Sequence, residues 1–115
     1  MSKNEVIVEG DIVRYIIKYP VDENEASDLR DTGWREFDAG KASRVIIDLQ
    51  TSTEFTSAAR KIWVEFLKHP KIKKTAIFGG NVFVRTLASF VIAAAGKKNI
   101  KFFSDEESAR KWLKS

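Results

Sequence analysis

Apolar residues along this chain form two kinds of segment. Five short runs rich in Val, Ile and Phe have the composition of β-strands, and they lie at residues 5–8, 12–19, 44–49, 75–78 and 100–103. Elsewhere apolar residues recur every three or four positions, which predicts helices. These helices are expected at residues 23–39, from about residue 57 to His69–Pro70, at residues 82–95 and after residue 104.

Residues that suit helix ends stand next to these segments. Asp22 and Ser104 each precede a helix and have a glutamate three residues later (Glu25 and Glu107), which is the spacing of a capping box. Asn81 is a further candidate N-cap. Gly40 and Gly96 are candidates for the glycine that ends a helix.

The order of the segments predicts the fold. Two strands around Glu9-Gly10-Asp11 suggest an N-terminal β-hairpin, and the alternating strands and helices that follow suggest parallel βαβ units. The expected architecture is an α/β fold with a mixed sheet and four helices in the order ββαβαβαβα, forming one domain over residues 1–115. The second strand has a half-charged face, which places it at or near an edge of the sheet.

The helix expected at residues 82–95 is unusually apolar. A helical wheel predicts a buried arc of eight residues: Phe83, Val84, Leu87, Ala88, Phe90, Val91, Ala94 and Ala95. The opposite side holds Val82, Arg85, Thr86, Ser89 and Ala93. Because Phe83 and Phe90 lie on the shoulder of the arc, partial exposure would make them a candidate dimer contact or lipid-facing patch.

Composition narrows the chemistry. The 115 residues include no cysteine, which excludes disulfides, thiolate metal sites and a cysteine nucleophile and is consistent with a reducing compartment. The N-terminus lacks an apolar signal core, and residues 82–95 are too short to span a bilayer, so a cytoplasmic protein is expected. One histidine, His69, and scattered carboxylates form no ligand set, so no metal, cofactor or catalytic group is predicted.

Charge is unevenly distributed within the net value of +4. Acidic residues dominate residues 1–55 and basic residues dominate residues 56–115. Six lysines in the predicted helix-to-strand loops form a candidate basic rim: Lys71, Lys73, Lys74, Lys97, Lys98 and Lys101. They either complement helix C-termini or bind an anionic lipid or an acidic partner. Nucleic acid is not expected, because no aromatic residues are interleaved with them.

Two predicted loops should meet at the carboxyl edge of the parallel strands, where ligands bind in open α/β sheets. They supply candidate ligand- or phosphate-binding residues: Asp48, Thr53, Thr56, Ser57, Gly79, Gly80, Asn81 and Arg85. Helix N-termini there could hold an anion. The alternative interpretation is structural, with Thr and Asn as caps, glycines in a tight turn and Asp48 bonded to nearby amides.

Three motifs resemble the STAS/SpoIIAA-like domain family, in particular an uncharacterised bacterial branch of it. They are Val-Ile-Ile-Asp-Leu at residues 45–49 with Ala59-Arg60-Lys61, Thr-Ala-Ile-Phe at 75–78 leading into residues 85–90, and the closing segment at 100–113. The resemblance implies a small regulatory or interaction module. Family members that act as anti-sigma-factor antagonists are phosphorylated in an Asp-Ser-Ser-Gly loop, which here becomes Thr56-Ser57-Ala58-Ala59, so only Ser57 is retained.

Two functions are consistent with these observations. The first is a non-enzymatic STAS-like regulatory module whose partner is another protein or a second copy of the chain. The alternative is binding or sensing of a small hydrophobic, lipid-like or anionic ligand, with an anionic membrane surface as a further possible partner. The first is preferred because it fits the family resemblance and because no catalytic set was found.

Overall fold

The protein is described by a computed structural model that covers residues 3–50 and 54–115. Within these residues five strands and four helices follow in the order β1 (Glu5–Glu9), β2 (Ile12–Ile16), α1 (Glu23–Asp38), β3 (Arg44–Asp48), α2 (Ser57–Leu67), β4 (Lys74–Phe78), α3 (Val82–Ala95), β5 (Ile100–Phe103) and α4 (Glu106–Lys114). The strands form one sheet in the order β1-β2-β3-β4-β5. Strands β1 and β2 are antiparallel, and all other pairs are parallel. The predicted fold class and element order are confirmed.

The second strand is shorter than predicted. It ends at Ile16, because the backbone amides of Lys18 and Tyr19 donate to the side-chain oxygen of Asn4 (2.8 and 2.9 Å) instead of to a neighbouring strand. Strand β2 lies between β1 and β3, one strand from the edge of the sheet.

The main core lies between one face of the sheet and helices α1, α2 and α3. Its centre is an aromatic cluster in which Tyr15 packs edge-on against Trp63 and Phe66, with ring centroids 5.3 and 5.4 Å apart. The Tyr15 hydroxyl donates to the carbonyl of Leu29 (2.7 Å), and burial raises the pKa of this phenol. Helix α1 approaches this ring closely, because a Cβ atom on Gly33 would lie 2.0 Å from the hydroxyl oxygen.

The other face of the sheet is covered by α4. Ala109 and Leu113 on this helix pack against Ile46, Ala76 and Phe78 on strands β3 and β4. This second core is small. Polar contacts of Glu106 and Arg110 also hold α4 against the sheet.

Most predicted helix ends are confirmed. The side chains of Asp22 and Asn81 accept the backbone N–H groups of Glu25 and Val84, both at 2.9 Å, and Gly40 and Gly96 follow their helices with φ angles of 73° and 65°. The prediction for α4 is wrong by one residue. Asp105, not Ser104, is the N-cap, and its carboxylate accepts the Ser108 amide at 2.8 Å.

The predicted orientation of α3 is wrong at its margins. Only Val84 and Ala95 of this helix are fully buried, whereas 62% of Phe83 and 65% of Phe90 are exposed. The helix rests on the sheet through a stripe at positions 84, 88, 91 and 95, which is narrower than the predicted arc. Among the described helices, α2 is the one that packs closely against α3, so the other side of α3 is left uncovered. In the described part of the chain, no helix combines the length and apolar character needed to cross a bilayer.

Candidate functional site

The Asp48 side chain lies at the carboxyl end of β3 and is almost fully buried on the α4 side of the sheet. Its carboxylate accepts the backbone N–H of Gln50 (3.0 Å), the side-chain amide of Gln50 (3.0 Å) and the guanidinium of Arg14 (3.1 Å). These three donors leave Asp48 little capacity for a ligand. The contacts favour its structural interpretation, in which it holds the start of the loop after β3.

Arg14 extends this network to α4. Its guanidinium binds both oxygens of Glu106 (2.9 and 3.2 Å), and Glu106 also accepts from Arg110 at 2.6 Å. Arg110 in turn pairs with Glu9 of β1 at 3.0 Å. The hydrogen bond from Arg14, followed by that from Arg110, lowers the pKa of Glu106. The network therefore joins α4 to strands β1, β2 and β3. No local pattern of residues indicates it, because its members are far apart in the sequence.

The two carboxyl-edge loops do meet, as predicted, through their backbones. A Cβ atom on Gly79 would lie 3.2 Å from the amide nitrogen of Gln50, and one on Gly80 would lie 3.2 Å from Leu49. Both glycines have φ angles above 80°. Thr53 was also a candidate in this region, but it lies outside the described residues.

Ser57 is the first residue of α2 and is exposed. Thr56 caps the helix by accepting the Ala59 amide at 3.1 Å. The Arg60 guanidinium donates to the Ser57 hydroxyl oxygen (3.1 Å) and to the carbonyl of Phe55 (2.8 Å), so a fixed positive charge stands beside the hydroxyl. Such a hydroxyl at a helix N-terminus is well placed to carry a phosphate. Arg60 was part of a sequence motif, but its contact with Ser57 was not predicted.

Arg85 lies apart from this hydroxyl. Its guanidinium stacks on Phe102 of β5, 5.2 Å from the ring centroid, and lines an open groove with Val82, Thr86 and Ser89. The candidate residues of the carboxyl edge therefore fall into three groups, a structural network at Asp48, an exposed hydroxyl at Ser57 and a stacked cation at Arg85.

Three lysines of the candidate basic rim bind helix C-termini. The Lys71 ammonium donates to the carbonyl of Asp38 (3.2 Å), Lys97 to that of Lys68 (3.0 Å) and Lys74 to that of Trp112 (3.0 Å). These contacts favour the interpretation as helix-dipole complements.

Aromatic residues also lie closer to the rim than predicted. Lys74 and Lys101 lie over the Trp112 ring, 4.9 and 5.5 Å from its centroid. The other two members of the rim, Lys73 and Lys98, are exposed.

His69 is structural. Its Nε2 atom lies 3.0 Å from the Asp38 carboxylate, and its Nδ1 atom accepts the Lys71 amide at 3.1 Å, which assigns the ring proton to Nε2. The ring packs against Trp34 and Phe37. Among the described residues no cluster of His, Cys, Asp and Glu could hold a metal ion.

A groove between α2 and α3 extends from Ser57 to the exposed Phe90. We define the α2/α3 face as this groove together with Phe83. The groove is lined by Ser57, Arg60, Lys61, Val64, Phe90, Val91 and Ala94.

Below this face, between the two helices and the sheet, lies an apolar cavity of about 40 Å³ that includes Trp63, Ile77 and Leu87 in its lining. Ligand pockets usually measure roughly 300–1,000 Å³. The cavity is therefore too small for a lipid chain as it stands.

Comparisons with known proteins agree with this fold. A family model described as SpoIIAA-like matches residues 12–114. The anti-sigma factor antagonist SpoIIAA in its unphosphorylated form has a similar structure, with a TM-score of 0.71, 11% identity, and coverage of 97% of this chain and 98% of that one. SpoIIAA of Bacillus has also been solved in the phosphorylated form, with a TM-score of 0.70, 11% identity and coverage of 95% and 98%.

A third neighbour is an uncharacterised Shewanella loihica protein with a SpoIIAA-like fold, with a TM-score of 0.66, 18% identity, and coverage of 96% of this chain and 91% of that one. The NMR structure of the protein TM1081 aligns with a TM-score of 0.75 and 16% identity, over 99% and 89% of the two chains. No curated protein sequence matches significantly. At these identities the structural neighbours establish the fold alone.

Proposed function

Because this chain belongs to the SpoIIAA-like family, we propose that it is a non-enzymatic regulatory module that acts by binding another protein. The observation that carries the proposal is the exposure of Phe83 (62%) and Phe90 (65%) on the α2/α3 face. These rings are seven residues apart on one helix, so they project from the same side. Exposed aromatic residues grouped on one face are typical of protein interfaces.

A regulatory input at Ser57 is part of the proposal. The neighbour SpoIIAA is described in phosphorylated and unphosphorylated forms, and Ser57 combines exposure, a helix N-terminus and the Arg60 guanidinium. A phosphate on Ser57 would place about two negative charges at the end of the groove. Among the described loop residues, Asp48, Gly79, Gly80 and Asn81 would then serve to shape this end of the molecule. We propose a cytoplasmic location, which is consistent with a chain without cysteine because disulfides are rare there.

The first experiment identifies the partner and maps its contact. Protein captured from the source cell by the wild-type chain is identified, purified and titrated against the wild-type chain and two variants. Phe83→Asn/Phe90→Asn is expected to weaken binding at least tenfold, because the two rings supply apolar contact area. Tyr19→Asn is the matched control, since Tyr19 is 51% exposed but lies outside the α2/α3 face. Equal affinity for both variants would contradict the proposal.

A second candidate function is the binding of a small hydrophobic or anionic ligand. It is favoured by the cavity below α3, whose lining residues are apolar except for Arg60, a possible partner for a headgroup. A volume of about 40 Å³ requires α3 to move away from the sheet before a lipid chain enters. Native mass spectrometry of the purified protein separates the two functions, since a retained fatty acid that is lost in Val91→Trp would favour this candidate.

A further inference from the structure

The inference concerns the chemistry of the partner that the α2/α3 face binds, and it rests on the proposed function. Every charged residue in the lining of the groove is basic, namely Arg60 and Lys61 of α2. The exposed Lys68 continues the same stripe, because it follows Val64 by one turn and Lys61 by two. The Lys97 ammonium reaches the Lys68 carbonyl (3.0 Å), which places a fourth cation at the far end of the groove.

The acidic residues of the neighbouring elements, as far as the structure describes them, are directed elsewhere. Helix α2 contains one acidic residue, Glu65, and its carboxylate binds Arg30 of α1 at 2.9 Å. Helix α3 contains none. The face therefore presents apolar contact area flanked by positive charge, without an internal carboxylate to neutralise it.

A second copy of this chain fits the face poorly. A two-fold contact through α3 would bring Arg60 and Lys61 of one copy towards the same cations of the other, and like charges at an interface are unfavourable. A head-to-tail contact with the acidic helix α1 is also unfavourable. The exposed side chains of α1 are polar or charged, so that helix has no apolar residues to cover Phe83 and Phe90.

The shape of the face suggests an α-helix as the occupant. The exposed rings of α3 are two helical turns apart, about 10 Å along the axis. An amphipathic helix presents apolar residues at the same spacing, and its side chains fill a groove between two helices. The flat surface of a bilayer would leave such a groove unfilled.

We infer that the α2/α3 face binds an acidic amphipathic helix of a different protein. Apolar residues at positions i, i+3 or i+4 and i+7 of that helix cover Phe83, Phe90 and Ala94. Aspartate or glutamate residues along one flank pair with Arg60, Lys61 and Lys68. Electrostatic attraction of this kind raises the association rate and is weakened by salt.

The test is a selection that requires no knowledge of the natural partner. A displayed library of helix-stabilised 18-residue peptides, randomised at every position outside the staple, is selected on the wild-type chain and depleted on Phe83→Asn/Phe90→Asn. The expected winners carry apolar residues with helical spacing and a clear excess of Asp and Glu. Their binding should weaken at least tenfold in Arg60→Glu/Lys61→Glu and severalfold between 50 and 500 mM salt. Lys73→Glu/Lys98→Glu makes the same change in net charge as Arg60→Glu/Lys61→Glu, but outside the groove. It should leave binding within twofold of the wild type.

Several results would overturn the inference. These are winners with neutral or basic flanks, a selection that yields no binding peptide, binding that survives Arg60→Glu/Lys61→Glu, and a dimer of the wild-type chain that dissociates in Phe83→Asn/Phe90→Asn. A further contrary result would come from sedimentation with vesicles of phosphatidylcholine and phosphatidylserine, because Phe83-dependent vesicle binding without helix binding would assign the face to membranes. A natural partner bound at the same face through a basic or neutral segment would reject the inference but retain the proposed function.

Discussion

At the scale of single residues, Gly33 of α1 lies so close to Tyr15 of β2 that no room is left for a side chain. Alanine normally stabilises a helix interior by about 1 kcal/mol relative to glycine. Here its methyl group would lie 2.0 Å from the Tyr15 hydroxyl and 3.0 Å from the Phe66 ring. The tyrosine is held by its bond to Leu29, so it cannot move away without losing a buried hydrogen bond.

Gly33→Ala is therefore expected to destabilise the protein by about 1–3 kcal/mol, the usual cost of overpacking. Urea unfolding monitored by circular dichroism measures the change in the free energy of unfolding. In a Tyr15→Phe background the same substitution should cost less, since the hydroxyl oxygen is absent. A neutral or stabilising Gly33→Ala would show that α1 does not approach the sheet as closely as described.

At the scale of elements, α4 is attached by a small apolar core and by the network around Glu106. The Arg14 and Arg110 hydrogen bonds lower the pKa of Glu106 below its ordinary value of 4.5. A carboxylate with a lowered folded-state pKa stabilises the protein above the unfolded-state pKa. That contribution is lost as the pH falls through the folded-state pKa.

Glu106→Gln is thus expected to lower the melting temperature at pH 7. The effect should shrink as the pH falls through the lowered folded-state pKa of Glu106 and the wild-type carboxyl becomes protonated. Differential scanning calorimetry across this range gives the difference. Glu107→Gln, an exposed neighbour in the same helical turn, is the control and should show a smaller difference at pH 7. A constant difference between Glu106→Gln and wild type at all pH values would contradict the role assigned to the Arg14 bond.

The start of α4 provides a second prediction at this scale. Asp105→Ala should lower the melting temperature, because it leaves the Ser108 amide without its side-chain acceptor. Ser104→Ala should change it little. A larger loss of melting temperature in Ser104→Ala than in Asp105→Ala would show that Ser104 is the N-cap.

Elements were predictable from sequence where their signals are local. Helix caps and terminal glycines act within a few residues, so their position next to an apolar repeat is enough to predict them. This holds for Asp22, Asn81, Gly40 and Gly96. The bond between Arg14 and Glu106 joins residues 92 positions apart, and no local pattern encodes it. The orientation of α3 was missed for a related reason. A helical wheel shows which residues are apolar, but the neighbouring helix decides which of them are covered.

At the scale of the whole molecule, the sheet is covered unequally, and this produces the α2/α3 face. Helices α1 and α2 pack closely together, whereas α3 has α2 on one side only. The chain is folded without covering Phe83 and Phe90, so changing them should leave stability nearly unchanged. That separation of binding from stability makes the face testable.

The proposed regulation also belongs to this scale, because Ser57 lies at one end of the groove that contains Phe90. Ser57→Glu introduces a negative charge beside Arg60. It is expected to weaken the binding of an acidic partner severalfold in a titration at low salt. Ser57→Asn, which adds similar bulk without charge, is the control. If the partner bound Ser57→Glu as tightly as the wild type, Ser57 would not be part of the binding surface.

The most direct test of the proposed function is the dissociation constant of the purified natural partner for the wild-type chain, Tyr19→Asn and Phe83→Asn/Phe90→Asn, with folding of each variant checked by circular dichroism. We predict that the first two agree within a factor of about two and that the double variant binds at least tenfold more weakly, a difference of about 1.4 kcal/mol. Equal dissociation constants for all three folded proteins would show that the α2/α3 face is not the surface through which this protein acts.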